Sequence, residues 1–290
     1  MLIDEETGRK YTFDECKQRT DWVAAGLRDQ LGVRRDTVVS LFSANSVDYI
    51  VAILACHKLG AVVSCANPSY EPSELAYQLD ASKATIMIVG QENVQSGVEG
   101  AEKAGIRRDH VVVMQTPSTC QKDGALSAGG QKRFKDGAWT LEGLAAEGKE
   151  SAAKRGKASL DEGRHVLQSG EARSKLAFLS FSSGTTGLPK AVQIQHYAPV
   201  SNVQQMTAFN GMIGGQDQRF SPGKHVSLGC LPFYHIYGLV IVLFWTFFSG
   251  VTTVVVPKFR GIEALIKTTL KYRIDCWWLV PPQVRPKNSG

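Results

Sequence analysis

The chain has 290 residues, of which 43% are hydrophobic and 21% are charged, as in an ordinary globular protein. Its formal net charge of +6 suits an anionic ligand, but without a dense basic stripe it does not favour nucleic acid as a partner. The six cysteines form no CxxC pair, and the polar opening MLIDEETGRK is unlike a secretory signal. We therefore expect a protein of a reducing, intracellular compartment.

The first half of the chain alternates between helical and strand patterns. Thr12 to Glu15 has the capping-box pattern, and apolar residues follow it at helical spacing. In chain order the predicted elements are a helix at 13–30, a strand at 38–42, an apolar helix ending at 60, a strand at 61–64, a helix from 72 and a strand at 85–89. Strand, helix and strand in succession form a βαβ unit, which predicts an α/β fold with parallel sheets.

Residues 116–175 differ in composition from the rest of the chain. Gly, Ser, Ala and Lys dominate there and strand-forming residues are rare, which predicts a mobile insertion. Within it, Trp139 to Gly148 has the apolar spacing of a short docked helix. The pattern then resumes with strands at 176–180 and 191–194, a helix at 198–211, a strand at 226–230, a strand at 251–256, a helix at 262–272 and a strand at 276–280.

The longest apolar run, Ile236 to Phe248, is shorter than the roughly 20 residues that a helix needs to span a bilayer. It is followed by Ser249, Gly250 and a β-branched run, a pattern typical of a turn and a strand. We therefore predict a buried helix and no transmembrane segment.

A glycine-rich segment between two predicted strands carries the clearest chemical signal. Ser182 to Lys190 reads SSGTTGLPK, with four hydroxyl side chains, two glycines and one lysine. Glycines let backbone N–H groups turn inward, hydroxyls donate hydrogen bonds, and the lysine supplies positive charge, so the segment suits phosphate. The Walker A pattern would require Gly-Lys-Ser/Thr at its end, which is absent. The alternative is an exposed Ser/Gly hairpin without a ligand.

The nonapeptide Ser182 to Lys190 resembles the signature of the adenylate-forming superfamily, which includes acyl-CoA synthetases, firefly luciferase and adenylation domains. Four further segments carry the resemblance, which is strongest to 4-coumarate-CoA ligase-like enzymes: NSVDY from Asn45, NPSYEPSEL from Asn67, LPFYHIYGL from Leu231, and VPP from Val280. It implies a partial AMP-binding amino-terminal domain at 1–282, with a divergent tail at 283–290. The large domain would be incomplete and the small carboxy-terminal domain absent.

The resemblance also implies roles for individual residues. His235 would line the acyl site and act catalytically by position, Tyr237 would line an aromatic pocket, and Lys258 would contact CoA. The residues that would contact the phosphates of ATP are Ser182, Ser183, Gly184, Thr185, Thr186, Gly187 and the catalytic Lys190, with Thr185 or Thr186 near Mg²⁺. The alternatives are a core histidine at His235, simple packing at Tyr237 and a solvated lysine at Lys258.

The function implied by the resemblance is the ATP-dependent activation of a carboxylic acid, followed by thioester formation with CoA. The family's Tyr-Gly-x-Thr-Glu and Thr-Gly-Asp motifs are not found, so we expect the 290-residue chain to be incomplete for turnover. A catalytically inactive nucleotide-binding remnant and a non-enzymatic interaction or membrane-associated protein are the alternatives. We expect a cytoplasmic location; a peroxisomal address would lie on an absent carboxy-terminus. The oligomeric state is left open.

Overall fold

A computed structural model describes residues 1–114, 132–134, 137–182, 188–212 and 219–284 of the protein, the last range without the side chains of Pro282 and Val284. The chain divides into two compact units. The first unit comprises Met1–Phe13, Ala44–Val47 and Ser201–Gly290, and the second unit comprises Asp14–Ser43 and Asp48–Val200.

The second unit is built on a seven-stranded sheet whose strand order is β7-β6-β5-β3-β4-β8-β9. All neighbouring strands are parallel except the last pair, β8 and β9, which is antiparallel. Its strands are β3 (Val38–Phe42), β4 (Val62–Ala66), β5 (Ile86–Gly90), β6 (Val111–Met114), β7 (Trp139–Thr140), β8 (Leu176–Ser182) and β9 (Lys190–Gln195). This arrangement confirms the predicted α/β class.

The helices of the second unit follow its strands. They are α1 (Phe13–Leu31), α2 (Asp48–Lys58), α3 (Pro72–Ser82), α4 (Val94–Lys103) and α5 (Leu141–Arg155), and α6 (Tyr197–Phe209) begins at its end. A core cluster beneath α3 and α4 joins Phe42, Leu75, Leu79 and Met87, all at most 1% exposed. Apart from the half-buried Val38, the branched apolar residues of β3–β6 are buried, as expected of parallel strands.

Glycines bring α1 and α5 into close contact. A Cβ atom at Gly26 would lie 2.2 Å from the Leu144 carbonyl oxygen, and one at Gly148 would lie 2.0 Å from that of Trp22. Such approaches exclude any side chain larger than hydrogen. The predicted docked helix is thus present as α5, but it begins at Leu141 and extends to Arg155, and the first two residues of the predicted range, Trp139 and Thr140, form the strand β7 instead.

Charged side chains reinforce the packing of the segment around α5. Arg19 on α1 pairs with Asp48 at 2.7 Å and with Glu142 on α5 at 2.5 Å. Arg28 donates to the carbonyl oxygens of Ser159 and Glu162 at 2.9 and 2.5 Å. Glu142, Ser159 and Glu162 belong to the range 116–175, of which 116–131 and 135–136 lie outside the described residues; the mobility of the insertion stays a prediction.

The first unit contains a five-stranded sheet with the order β12-β10-β11-β1-β2. Its strands are β1 (Leu2–Asp4), β2 (Lys10–Tyr11), β10 (Val226–Gly229), β11 (Thr252–Val255) and β12 (Cys276–Trp277), all parallel to their neighbours except β2. The helix α8 (Ile262–Tyr272) covers one face, where Leu228, Val254 and Leu265 form a buried cluster.

The apolar run Ile236 to Phe248 is helical, as predicted. It forms a π-helix at Gly238–Trp245 that continues into the short helix α7 (Thr246–Phe248), and a last helix, α9, covers Pro281–Val284. Trp245 is fully buried against Phe220 and Trp278, with ring centroids 5.2 and 5.5 Å away. Among the described residues, no helix combines the length and the apolar character that crossing a bilayer requires.

Candidate functional site

The glycine-rich segment connects the two strands of an antiparallel hairpin. Ser182, the last residue of β8, is paired with Lys190, the first residue of β9, and both side chains are exposed. The segment between them is therefore held at both ends by strand pairing. Ser183, Gly184, Thr185, Thr186 and Gly187, which the sequence predicts as phosphate contacts, lie outside the described residues.

Tyr77 on α3 contacts the hairpin directly. Its hydroxyl donates a hydrogen bond to the carbonyl oxygen of Pro189 at 3.1 Å, one residue before Lys190. Gln78 fixes α3 to β4 in turn, because its side-chain amide donates to Ser64 Oγ at 3.0 Å and to the Cys65 carbonyl at 3.2 Å. The sequence indicated the helix but gave no signal that it contacts the hairpin.

A pocket of about 300 Å³ lies between α3 and the hairpin. It is lined by Tyr70, Ser73, Glu74, Tyr77, Gln78, Phe181, Leu188 and Pro189. Gln78 is 1% exposed, and among the described residues its Oε1 atom has no hydrogen-bond partner. The surface of the pocket is mainly apolar, and its size is at the lower limit of small-molecule sites.

The hairpin base, defined here as the start of β8 and the end of β9, contacts two histidines, His57 and His196. His57 on α2 donates from Nε2 to the Ala177 carbonyl at 3.0 Å, and its ring lies 4.8 Å from that of His196. Burial, together with His196, lowers the pKa of His57 to about 3. Burial also lowers the pKa of His196. Both imidazoles are therefore neutral at pH 7 and serve the packing of β8 rather than charge.

His235 and Tyr237 lie in the segment after β10, in the first unit. The His235 side chain is exposed, so it is not a core histidine, and its Nδ1 atom accepts a hydrogen bond from the Tyr237 amide at 3.3 Å. The Tyr237 side chain is half-buried. That these two side chains share a pocket with the glycine-rich segment stays a prediction.

Lys258 follows β11 and Pro257, and its side chain is exposed. The position is free of packing constraints that would fix a lysine there. An exposed lysine at a strand end is compatible both with a phosphate-bearing ligand and with the solvated alternative.

Metal-ligating side chains do not cluster within the described part of the chain. No group of three or more His, Cys, Asp or Glu side chains among the described residues is placed to hold a metal ion. The cysteines in the described part are free thiols, and burial is the main cause that raises the pKa of Cys56 and Cys65 to about 12, so these two are unreactive. Cys120 lies outside the described residues.

Comparison with known proteins gives consistent matches over the whole chain. A family described as "AMP-binding enzyme" matches residues 1–286. An acyl-CoA ligase of Alternaria alternata, AFT1-1, is 28% identical over all of this chain and 46% of its own length. A 4-coumarate–CoA ligase of Pinus taeda is 29% identical over 98% of this chain and 45% of its own length.

The fold has solved counterparts. The ATP-bound structure of the RpMatB-BxBclM chimera B3 superimposes with a TM-score of 0.68 at 22% identity, covering 95% of this chain and 45% of the chimera. The parallel-sheet α/β fold of the amino-terminal half of such enzymes is thereby shown. The chain spans about half the length of the curated relatives that it matches.

Proposed function

Because this chain belongs to the AMP-binding enzyme family, we propose that it contributes the amino-terminal part of a ligase that activates a carboxylic acid with ATP and transfers the acyl group to CoA. The observation that carries the proposal is the family match over residues 1–286, in which the hairpin of β8 and β9 places Ser182 and Lys190 at the two ends of the glycine-rich segment.

The main obstacle to the proposed reaction is electrostatic. A carboxylic acid with a pKa near 4 is ionised at pH 7, so the carboxylate attacks the α-phosphate without a general base. The barrier comes from bringing two anions together, and fixed positive charge and N–H donors lower it. Lys190 and the donors of Ser182–Gly187 are proposed to neutralise the phosphates of ATP.

Two features of the described residues support the proposal that ATP binds at this place. Ser182 and Lys190 are exposed and fixed by strand pairing, so a polyphosphate has access to both. Mg²⁺ is proposed to be held mainly by the phosphates, with one hydroxyl from Thr185 or Thr186, because this ion commonly keeps several waters and few protein ligands. When bound, it adds further positive charge against the developing negative charge.

Two other segments are proposed to bind the remaining substrates. His235 and Tyr237 would contact the acyl group, where the exposed imidazole acts by position and not by proton transfer. Lys258 would form an ion pair with a phosphate of CoA. The acid itself is proposed only as a class, with fatty and cinnamic acids as the first candidates from the relatives named acyl-CoA and 4-coumarate–CoA ligases.

A second candidate is nucleotide binding without turnover. It would rest on the segment Ser182–Lys190 alone, whose hydroxyls, glycines and lysine suit phosphate whether or not turnover follows. The two candidates differ in whether residues 1–282 support catalysis once they are continued by a carboxyl-terminal half.

The test joins residues 1–282 to the carboxyl-terminal half of the Pinus taeda relative. The fusion receives Mg·ATP, CoA and a panel of fatty and cinnamic acids, and pyrophosphate and AMP are measured. We expect release of pyrophosphate that requires an acid, and a loss of about a hundredfold in Lys190→Ala, the usual effect of removing one transition-state donor.

Lys103→Ala is the matched control, because Lys103 is also an exposed lysine of the second unit and, among the described residues, forms its ion pair with Glu99 on its own helix. It should leave pyrophosphate release unchanged. Pyrophosphate release that does not depend on the acid, or that survives Lys190→Ala, would contradict the proposed function.

A further inference from the structure

A buried asparagine connects the ends of two parallel strands in the first unit. Asn45 is 5% exposed, and its Nδ2 atom donates to the carbonyl oxygens of Leu231 at 2.9 Å, Val256 at 3.3 Å and Gly229 at 3.4 Å. Its Oδ1 atom accepts from the amide of Phe233 at 2.8 Å. Both polar atoms of the Asn45 side chain thus form hydrogen bonds with backbone groups near the carboxyl ends of β10 and β11.

The set of partners requires a side-chain amide. One short side chain donates to backbone carbonyl oxygens at one end and accepts from the Phe233 N–H at the other; of the three carbonyls, that of Gly229 also accepts from the Val256 amide. Aspartate would supply only the acceptor, and alanine neither. Since an unpaired buried backbone group destabilises the folded state, the backbone around this residue favours asparagine here.

The segment that Asn45 holds is the one that carries His235. Asn45 bonds the residues on both sides of Pro232, and the Pro232 carbonyl accepts from the His235 amide at 3.1 Å. A Cβ atom at Gly238 would lie 2.0 Å from this same carbonyl, so the glycine allows the turn to close. The His235 carbonyl then accepts from Leu239 at 2.9 Å, in the first turn of the π-helix.

We propose that Asn45 is a positioning residue that fixes the segment Leu231–Gly238 against the ends of β10 and β11, and so sets the place of the exposed His235 imidazole. The part of this inference that concerns binding of an acyl group rests on the proposed function. Asn45 itself touches only backbone atoms and is remote in sequence, 184 to 211 residues from its partners.

The first experiment measures amide hydrogen exchange in the 290-residue chain. In Asn45→Ala we expect the amides of 233–239 to exchange at least tenfold faster, because Phe233 loses its acceptor and the turn at His235 loses its support. Asn210→Ala is the matched control: Asn210 is also 5% exposed, lies in the same unit and donates to the Met206 carbonyl at 2.8 Å. In Asn210→Ala, amide exchange at 233–239 should stay within twofold of its rate in the unsubstituted chain.

The second variant, Asn45→Asp, keeps the acceptor for Phe233 and removes both donor hydrogens, so it tests the donor side separately and serves if the alanine variant does not fold. We expect faster exchange at 233–239 in this variant too, with exchange in β3–β6 unchanged. Exchange at 233–239 within twofold of the unsubstituted chain in both variants, or an equal increase in Asn210→Ala, would overturn the inference.

Binding measurements distinguish a positioning role of Asn45 from a general effect on the stability of the fold. Affinities of the same proteins are measured for Mg·ATP and for two acyl-adenylate mimics, decanoyl- and cinnamoyl-sulfamoyladenosine. Substitution of Asn45 should weaken mimic binding at least tenfold and Mg·ATP binding less than twofold. If the unsubstituted chain binds Mg·ATP but neither mimic, the proposed acyl site fails, while the exchange data still decide the role of Asn45. Equal losses for ATP and mimics would contradict positioning.

Discussion

His57 shows how a single buried side chain makes the hairpin base sensitive to pH. The imidazole is enclosed by Phe178 and His196 and donates to the Ala177 carbonyl. Burial and the neighbouring His196 lower the pKa of His57 from 6.5 to about 3. The folded state therefore binds this proton less well than the unfolded state does, and the neutral form is required for folding.

The sign of the pH dependence follows. The contribution of neutral His57 to the free energy of unfolding is complete above pH 6.5 and is lost as the pH falls from about 6.5 toward 3. Over this range the free energy of unfolding changes with a slope that approaches about 1.4 kcal/mol per pH unit. We predict that His57→Gln, whose side-chain amide can also donate to Ala177, lowers this slope in urea unfolding measured at pH 7, 6, 5 and 4.

His110→Gln is the control for this prediction, because His110 also bonds a backbone carbonyl, that of Thr85, but is exposed. In His110→Gln, the free energy of unfolding should depend on pH with the same slope as in the unsubstituted chain. Equal slopes for all three proteins would show that His57 does not govern acid stability.

For single residues, the sequence indicated which side chains have suitable chemistry, but it predicted few of their contacts. The hydroxyls, glycines and lysine of 182–190 are consecutive, so their shared chemistry can be recognised without a structure. Tyr77 and Asn45 could not be assigned in the same way, because their partners are 112 and up to 211 residues away and are backbone atoms, which any residue supplies. The hydrogen-bonding role of such residues depends on the tertiary fold.

Among the elements, most strands and helices with continuous apolar patterns were predicted, but β6, the apolar run Val111–Met114, was not. The strand at 38–42 and the helix at 262–272 have the predicted bounds, because a long buried run or a 3.6-residue period is a local property. The three-residue strand β1 was not predicted. It is defined by pairing with β11, about 250 residues later, and with β2, and three residues carry too little pattern of their own.

The contact between α1 and α5 gives a prediction at the scale of elements. Alanine at Gly148 would improve helix propensity by about 1 kcal/mol, but its Cβ would overlap the Trp22 carbonyl oxygen. We predict a net loss of about 2 kcal/mol in the free energy of unfolding, as is typical of overpacking. Chemical denaturation measures it.

Ala153→Gly is the opposite change on the exposed face of the same helix and should cost only the propensity difference, about 1 kcal/mol. Stabilisation by Gly148→Ala would mean that the two helices are not in close contact at this position.

For the whole molecule, the coverage of about half of each relative limits what residues 1–290 should do alone. A polyphosphate contact in open water contributes far less than one in a closed pocket, because water screens the charges. We predict that the purified chain with Mg·ATP, CoA and the acid panel shows no sustained CoA-dependent production of AMP. Steady AMP production by the monomeric chain would contradict this.

The most direct test of the central claim, that the hairpin segment binds the phosphates of ATP, is equilibrium dialysis of radiolabelled ATP with Mg²⁺ against the 290-residue chain. A hydrogen bond to a charged group contributes about 1.5 kcal/mol or more, so Lys190→Ala should weaken binding about tenfold or more, while Lys103→Ala should not change it. Equal affinities in all three proteins, or no measurable binding to the unsubstituted chain, would contradict the account.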